Sequence, residues 1–335
     1  MRQHAAISVI VATYNRAELL PATLDGILTQ TTAPREVIVV DDGSFDQTQA
    51  VLAQYGGRIR TMRIVNSGKV AARNVGLLQA AGDFVAFCDS GDLWKPTYLA
   101  AMARMWWAEP SLRVAFGDFL IVQDGIWQTQ RKFADAPPGF WSDLRSIGPM
   151  MSAFDNPIVD RLLDFQPFFP SCMVADRRFL LDIGGWDASA GRILGADFAT
   201  VLRLAEHTPF GIMQQSLAGI RKQAAHDPAD VQAMKLGDAQ ILEHVLQHRP
   251  SLEAHAGAIR SSIVQRRHEA LELAFARRDF PAVRDIARLL PTERQPWRLR
   301  VKSRVAAWPA PLRGVASGAL LAAGSALSAA RRWGG

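Results

Sequence analysis

Two carboxylates three residues apart, Asp89 and Asp92, close the run Phe84-Val-Ala-Phe-Cys-Asp-Ser-Gly-Asp-Leu-Trp94. Val85 to Cys88 are apolar and suit a strand covered on both faces. The strand stops at Asp89-Ser90-Gly91-Asp92, and a helical pattern carrying Tyr98, Leu99, Met102 and Met105 follows Pro96. Acids on a turn between a strand end and a helix suit a hard divalent cation, and that cation suits a diphosphate. The same residues also serve as plain turn formers, with Asp92 capping the next helix.

Positioning these acids is the job of the elements before them. Ile7 to Ala12 reads as a first buried strand, followed by the loop Thr13-Tyr-Asn-Arg16 and a helix with Leu20, Leu24, Ile27 and Leu28 on one face. Val37 to Val40 is a second strand ending in Asp41-Asp-Gly-Ser44, and Ile59 to Val65 a weaker third. After the loop Asn66-Ser-Gly-Lys69, a helix over 70–81 carries Arg73 and Asn74. Strands alternating with helices imply an α/β domain with a mostly parallel, Rossmann-like sheet, helices on both faces and right-handed crossovers. The loops at 13–16, 41–44, 66–69 and 89–92 then converge on one sheet edge. Neither G-x-G-x-x-G after the first strand nor a P-loop is present, which argues against a dinucleotide domain or a P-loop enzyme.

Taken together, these segments resemble the family 2 glycosyltransferases of GT-A fold. The matching stretches are Ser8 to Arg16, Val40-Asp-Asp-Gly-Ser44, Asn66-x-Gly68 with Ala72-Arg-Asn-x-Gly76, and Phe87-Cys-Asp-Ser-Gly-Asp-x-Trp94. Ile183-Gly-Gly-Trp-Asp187 and Gly195-Ala-Asp-Phe with Leu202-Arg-Leu204 resemble the acceptor-side motifs, so the likeness covers roughly residues 6–225. It implies an inverting transfer of a sugar from a nucleotide-diphosphate donor, UDP-sugar favoured, to a hydroxyl of a glycan or lipid-linked acceptor. Thr13, Tyr14, Asn15, Arg16, Asp42, Lys69, Arg73, Asp89 and Ser90 are then expected at the nucleotide sugar, with Asp42 at the base. Asp89 and Asp92 would hold Mn²⁺ or Mg²⁺, and Gly185 and Trp186 would face the acceptor. Asp197 would be the general base, across the cleft from Asp89 and Asp92.

The chain departs from the family pattern at several points. Gly91 stands where the metal motif usually has an acid, which weakens the expected metal site, and Ala196 replaces a Glu before Asp197. Gln223 takes the place of a late His, with His226 three residues on. A catalytically impaired nucleotide-sugar-binding or scaffold protein is therefore the rival reading, and a nucleotidyltransferase a distant third. Residues 125–165 lack clear periodicity and are expected to carry acceptor choice.

Composition bounds the remainder. The chain has 335 residues, 49% hydrophobic and 21% charged, enough for one large domain or two ordinary ones. Its two cysteines, Cys88 and Cys172, read as small core residues in a reducing cytosol. The N-terminus runs straight into a strand, leaving no room for a signal peptide, and no stretch reaches the roughly 18–20 apolar residues of a spanning helix. Residues 1–225 are nearly neutral (−1), whereas 226–335 carry +7. Three segments are expected: a catalytic domain over 1–225, a helical subdomain over 226–291, and a basic amphipathic tail over 292–335. In that tail Trp297, Leu299, Val301, Val305, Trp308 and Leu312 alternate with Arg and Lys. A cytoplasmic protein, peripheral at the inner membrane face through this tail, is expected, with no nucleic-acid partner.

Overall fold

A computed structural model describes residues 6–222, 228–291 and 296–332. The chain forms two compact units, 1–192 with 196–224, and 193–195 with 225–335.

In the first unit, β1 (Ile7–Thr13), β2 (Glu36–Asp41) and β4 (Phe84–Asp89) are the apolar runs read from the sequence, and all seven residues of β1 are buried. Their sheet runs β3 (Arg60–Arg63), β2, β1, β4, β10 (Met173–Asp176), β6 (Val114–Gln123), β11 (Phe210–Arg221), β9 (Met151–Phe154), β8 (Leu144–Gly148). β5 (Leu93–Trp94) pairs with β11, and β7 (Ile126–Arg131) pairs with β6. From β3 to β4 every pairing is parallel, as the alternating pattern requires. β10 then runs antiparallel between β4 and β6, while β6 and β11 are again parallel.

The crossover helices α1 (Leu20–Leu28), α2 (Thr48–Gln54) and α3 (Lys69–Gln79) connect the parallel strands, and α4 (Tyr98–Ala108) leads into β6. α3 lies close against the sheet because Gly76 carries no side chain: a Cβ there would stand 2.4 Å from Ile10 Cγ2. That approach brings Arg73, one turn earlier, under the ends of the strands.

The segment 125–165, without a legible period, is folded as β7, β8, β9 and α5 (Val159–Asp164). An aromatic core explains the missing period: Phe116 stacks on Phe210, and Phe133, Trp141, Phe154 and Phe168 pack around them from loops as well as strands. Beneath it, buried Asp118 accepts from Arg131 Nε (2.7 Å), Ser216 Oγ (3.0 Å) and the Phe133 N–H (2.9 Å), tying β6, β7 and β11. Cys88 and Cys172 are free and buried, as expected of core residues.

The second unit is helical: α8 (Pro228–His248), α9 (Ala256–Ala276), α10 (Phe280–Arg288), α11 (Trp297–Ala306) and α12 (Ala310–Arg332). Leu299, Val305 and Ala306 share one buried cluster with Leu271, Phe275, Val283 and Ile286. Within the expected segment 292–335, Leu299, Val305 and Ala306 therefore pack into the helical core, while Trp297, Trp308, Leu312 and Val315 are exposed. Gln223 and His226 lie outside the described residues.

Candidate functional site

The C-terminal ends of β1, β2 and β4 open onto a cleft of about 860 Å³, lined among others by Thr13, Arg16, Asp42, Lys69, Asp89, Asp92, Asp197 and Arg221. Four loops that the sequence sends to one sheet edge do meet there.

Arg73 is the buried centre of one wall, 1% exposed, with its guanidinium 4.6 Å from the Trp186 ring. Its Nη2 donates to Asp89 Oδ1 (2.5 Å) and its Nη1 to Asp197 Oδ1. Lys69 Nζ donates to the other Asp197 oxygen (2.5 Å). Burial alone would drive the Asp197 carboxyl up, but Arg73 and Lys69 more than offset it and hold it below the ordinary range. Burial likewise opposes the Arg73 charge, and Asp197 and Asp89 outweigh it, so the guanidinium stays protonated. Asp197 is the first residue of α7 (Asp197–Leu204), where the helix dipole also favours its charge. The expected placement across the cleft from Asp89 is corrected here. One guanidinium bridges both acids, so Asp197 stands beside Asp89.

Asp92 sits in a different environment. Its Oδ2 accepts from Ser171 Oγ (2.5 Å) and its Oδ1 from the Arg221 N–H (2.9 Å). Burial first, then the nearby Asp89 charge, push its carboxyl up to about 7. Ser171 Oγ also accepts the Asp89 N–H (2.9 Å), so one hydroxyl braces both ends of the 89–92 turn. Gly91, with φ 144°, adopts a backbone that L side chains rarely take.

Other residues singled out by sequence divide into lining and supporting roles. Thr13 lines the cleft, and its buried Oγ1 has no partner among the described residues. Tyr14 lines it and packs edge-on against Phe45. Asn15, at φ 49°, faces the β2 loop instead: its N–H donates to Ser44 Oγ and its Oδ1 accepts the Phe45 N–H. Asp42 lines the cleft while accepting the Ser67 (2.6 Å) and Gly68 (2.8 Å) N–H groups, leaving lone pairs for a further donor. Ser90 lines the cleft as well. Gly185 and Trp186 are not in its wall. Trp186 is 0% exposed, edge-on to Phe87 beneath Arg73, and Asn74 holds its N–H and carbonyl. The expected acceptor contact at these two positions gives way to core packing, since an indole placed there supports the buried cation.

Sequence reading missed Arg192, Arg221 and Lys222, all of which line the cleft. Arg192 Nη2 donates to the Asn66 carbonyl (2.6 Å) and side chain (2.8 Å). Arg221 ends β11 and Lys222 follows it, just before Gln223; their charge was the available signal.

Against a divalent cation, the donor set fits poorly. Asp92 is 8% exposed with each oxygen already accepting a hydrogen bond, Gly91 brings no side chain, and Asp89 has one oxygen on Arg73. Among the described residues no group of three or more His, Cys, Asp or Glu side chains gathers as a metal site.

Comparison with known proteins places this geometry. The family model for Glycosyl transferase family 2 matches residues 8–156. An uncharacterized glycosyltransferase of Nostoc sp., alr2836, is 32% identical over 145 residues, which are 42% of this chain and 44% of that protein. The chain spans about half the length of the curated relatives it matches. Among solved structures, residues 1–349 of S. aureus TarS in complex with UDP align with TM-score 0.56 at 20% identity, covering 90% of this chain and 89% of that one. The mannosyltransferase PcManGT from Pyrobaculum calidifontis, in complex with GDP-Man and Mn²⁺, aligns with TM-score 0.56 at 19% identity, covering 98% and 82%. At such identities the likeness is one of fold.

Proposed function

We propose that the chain, whose residues 8–156 match the family model for Glycosyl transferase family 2, moves a sugar from a nucleoside-diphosphate sugar to an acceptor hydroxyl by single displacement. The observation that carries this reading is the pairing of Asp197 with Lys69 and, through Arg73, with Asp89 in the wall of a cleft large enough for a nucleotide sugar. UDP-sugar is the favoured donor, with Asp42 accepting from the base and Thr13 Oγ1 meeting a ligand group. A glycan or lipid-linked hydroxyl is the acceptor.

In the displacement, the acceptor oxygen bonds to the anomeric carbon as the bond to the diphosphate oxygen breaks. The electron pair leaves on the nucleoside diphosphate, and the acceptor proton passes to Asp197. Because Arg73 and Lys69 keep Asp197 ionised, it is present in the proton-accepting form. The exposed end of Lys69 can turn from Asp197 to the donor, freeing one carboxylate oxygen.

The same double occupation of Asp197 favours the rival reading, a donor-binding protein without transfer. Release of free UDP from UDP-sugars in the presence of glycan and lipid-linked acceptors decides between them. Acceptor-dependent release, lost in Asp197→Asn, supports the enzyme; tight donor binding with no release under any acceptor supports the binder.

We also propose that the helical unit meets an anionic membrane surface. Trp297, on α11, Trp308, in the bend after it, and Leu312 and Val315, on α12, are exposed, as are Arg298, Arg300 and Arg304 of α11. No helix among the described residues is long and apolar enough to cross a membrane. Co-flotation with phosphatidylglycerol vesicles, weakened by salt and by Arg→Glu changes at 298, 300 and 304, is the expected result; flotation indifferent to both would reject it.

A further inference from the structure

We propose that in this chain the donor's diphosphate is held by Arg221 and Lys69, and that Asp92 anchors Arg221 instead of binding a metal. This rests on the nucleotide-donor reading above and states how that site meets the diphosphate.

The acidic run is not built to chelate. Gly91 offers no ligand, and Asp92 is 8% exposed with each oxygen already accepting a bond. One of those bonds comes from the backbone of Arg221, the last residue of β11. The buried acid thus fixes the point from which the Arg221 side chain enters the cleft. The Asp92 carbonyl accepts from Thr23 Oγ1 (2.9 Å), and that hydroxyl accepts the Gly91 N–H (3.0 Å), so the anchor is itself held on α1.

Arg221 points to an anion. Its guanidinium lines the cleft, and its side chain makes no hydrogen bond or ion pair among the described residues. Its Nε is buried without a partner. A buried donor on a permanent cation is unfavourable until an acceptor reaches it, and a planar fork of N–H groups matches phosphate oxygens. Lys69 stands at the start of α3, paired with Asp197 but with its side chain 52% exposed and so able to turn to the same ligand. Arg192 is held on Asn66, Asp89 and Asp197 are paired with Arg73, and Asp42 accepts two backbone N–H groups. Asp124 and Arg16 are exposed at the rim, and Lys222, next to Arg221, adds positive charge. Negative charge growing on the departing diphosphate would therefore meet side-chain cations rather than a chelated ion.

Calorimetric titration of the full chain with UDP, GDP, UMP and GMP, in EDTA or in Mn²⁺, tests this. UDP or GDP should bind in EDTA, with Mn²⁺ altering the affinity less than about threefold. Arg221→Ala should cut the preference for the diphosphate over the matching monophosphate by about tenfold or more. Monophosphate affinity should stay unchanged, which also reports a folded pocket. Arg221→Lys should restore part of the preference. Asp92→Asn, which keeps an acceptor for the Arg221 N–H, should retain more of it than Asp92→Ala. Diphosphate binding only in Mn²⁺, or a preference untouched in Arg221→Ala, would overturn the inference and leave the donor reading intact. Failure of all four nucleotides to bind in either condition would overturn both.

Discussion

Asp197 and Asp92 belong to the same cleft and titrate in opposite directions. Asp197 meets two cations, Arg73 and Lys69, and is held low; Asp92 meets a hydroxyl and a backbone amide and is pushed to about 7. Both are buried, so desolvation is common to them, and the partner type decides the outcome. Neutral donors stabilise a carboxylate less than a guanidinium does, too little here to offset burial and the charge of Asp89. The first acid is held in its charged form by two cations. The second is a structural anchor whose protonation is coupled to the fold.

Removing the cation should erase this contrast with the largest effect. Arg73→Ala leaves Asp89 and Asp197 without their bridge, and urea denaturation should show a loss of about 3–5 kcal/mol. Arg73→Lys should recover only part, since a point charge cannot bridge two carboxylates as a fork does.

Asp92 gives the next largest expected effect. Its folded pKa of about 7 exceeds the ordinary 3.8, so the folded state holds its proton more tightly than the unfolded chain. Its contribution is therefore greatest below about pH 4 and is lost as pH rises to about 7, a fall of roughly 2–4 kcal/mol. Thermal melts of Asp92→Asn across that range should show this slope largely removed. Asp197 has the opposite sign: its contribution is present above pH 3.8 and lost in stronger acid.

Asp197→Asn tests the catalytic side of the contrast. Turnover should fall about a hundredfold, equivalent to about 2.7 kcal/mol, with donor affinity retained. Equal turnover in the variant would remove Asp197 from the base role. Ser171→Ala should have the smallest effect, roughly 1–2 kcal/mol by denaturation, from one lost donor to Asp92 and one lost acceptor for the Asp89 N–H.

How much of this was legible in the sequence follows from the same physics. Parallel strands buried on both faces leave continuous apolar runs, so β1, β2 and β4 could be read, and with them the convergence of their loops. Arg73 was visible as a charge on a buried helix, though its two partners lie 16 and 124 residues away in the chain. Asp92 was misleading because its spacing suits a metal ligand, while its burial is set by Ser171 and Arg221, far along the chain. Trp186 misled similarly: Gly-Gly-Trp marks a turn but says nothing of whether the indole faces ligand or core. β6 to β9 hid their period behind loops, bulges and an aromatic core drawn from many segments. The helical unit was legible as helices, but the burial of Leu299 and Val305 depends on α9 and α10.

Gly91 has a consequence for how this turn can change over time. With its φ at 144°, an aspartate introduced there would be strained by about 1–3 kcal/mol before any metal arrived. A single codon change back to the fully acidic run would thus be selected against on stability alone, unless the turn were remodelled with it. An acid at position 91 thus requires a reshaped turn as well as a new side chain, and Gly91→Asp alone is expected to lower stability without completing a metal site.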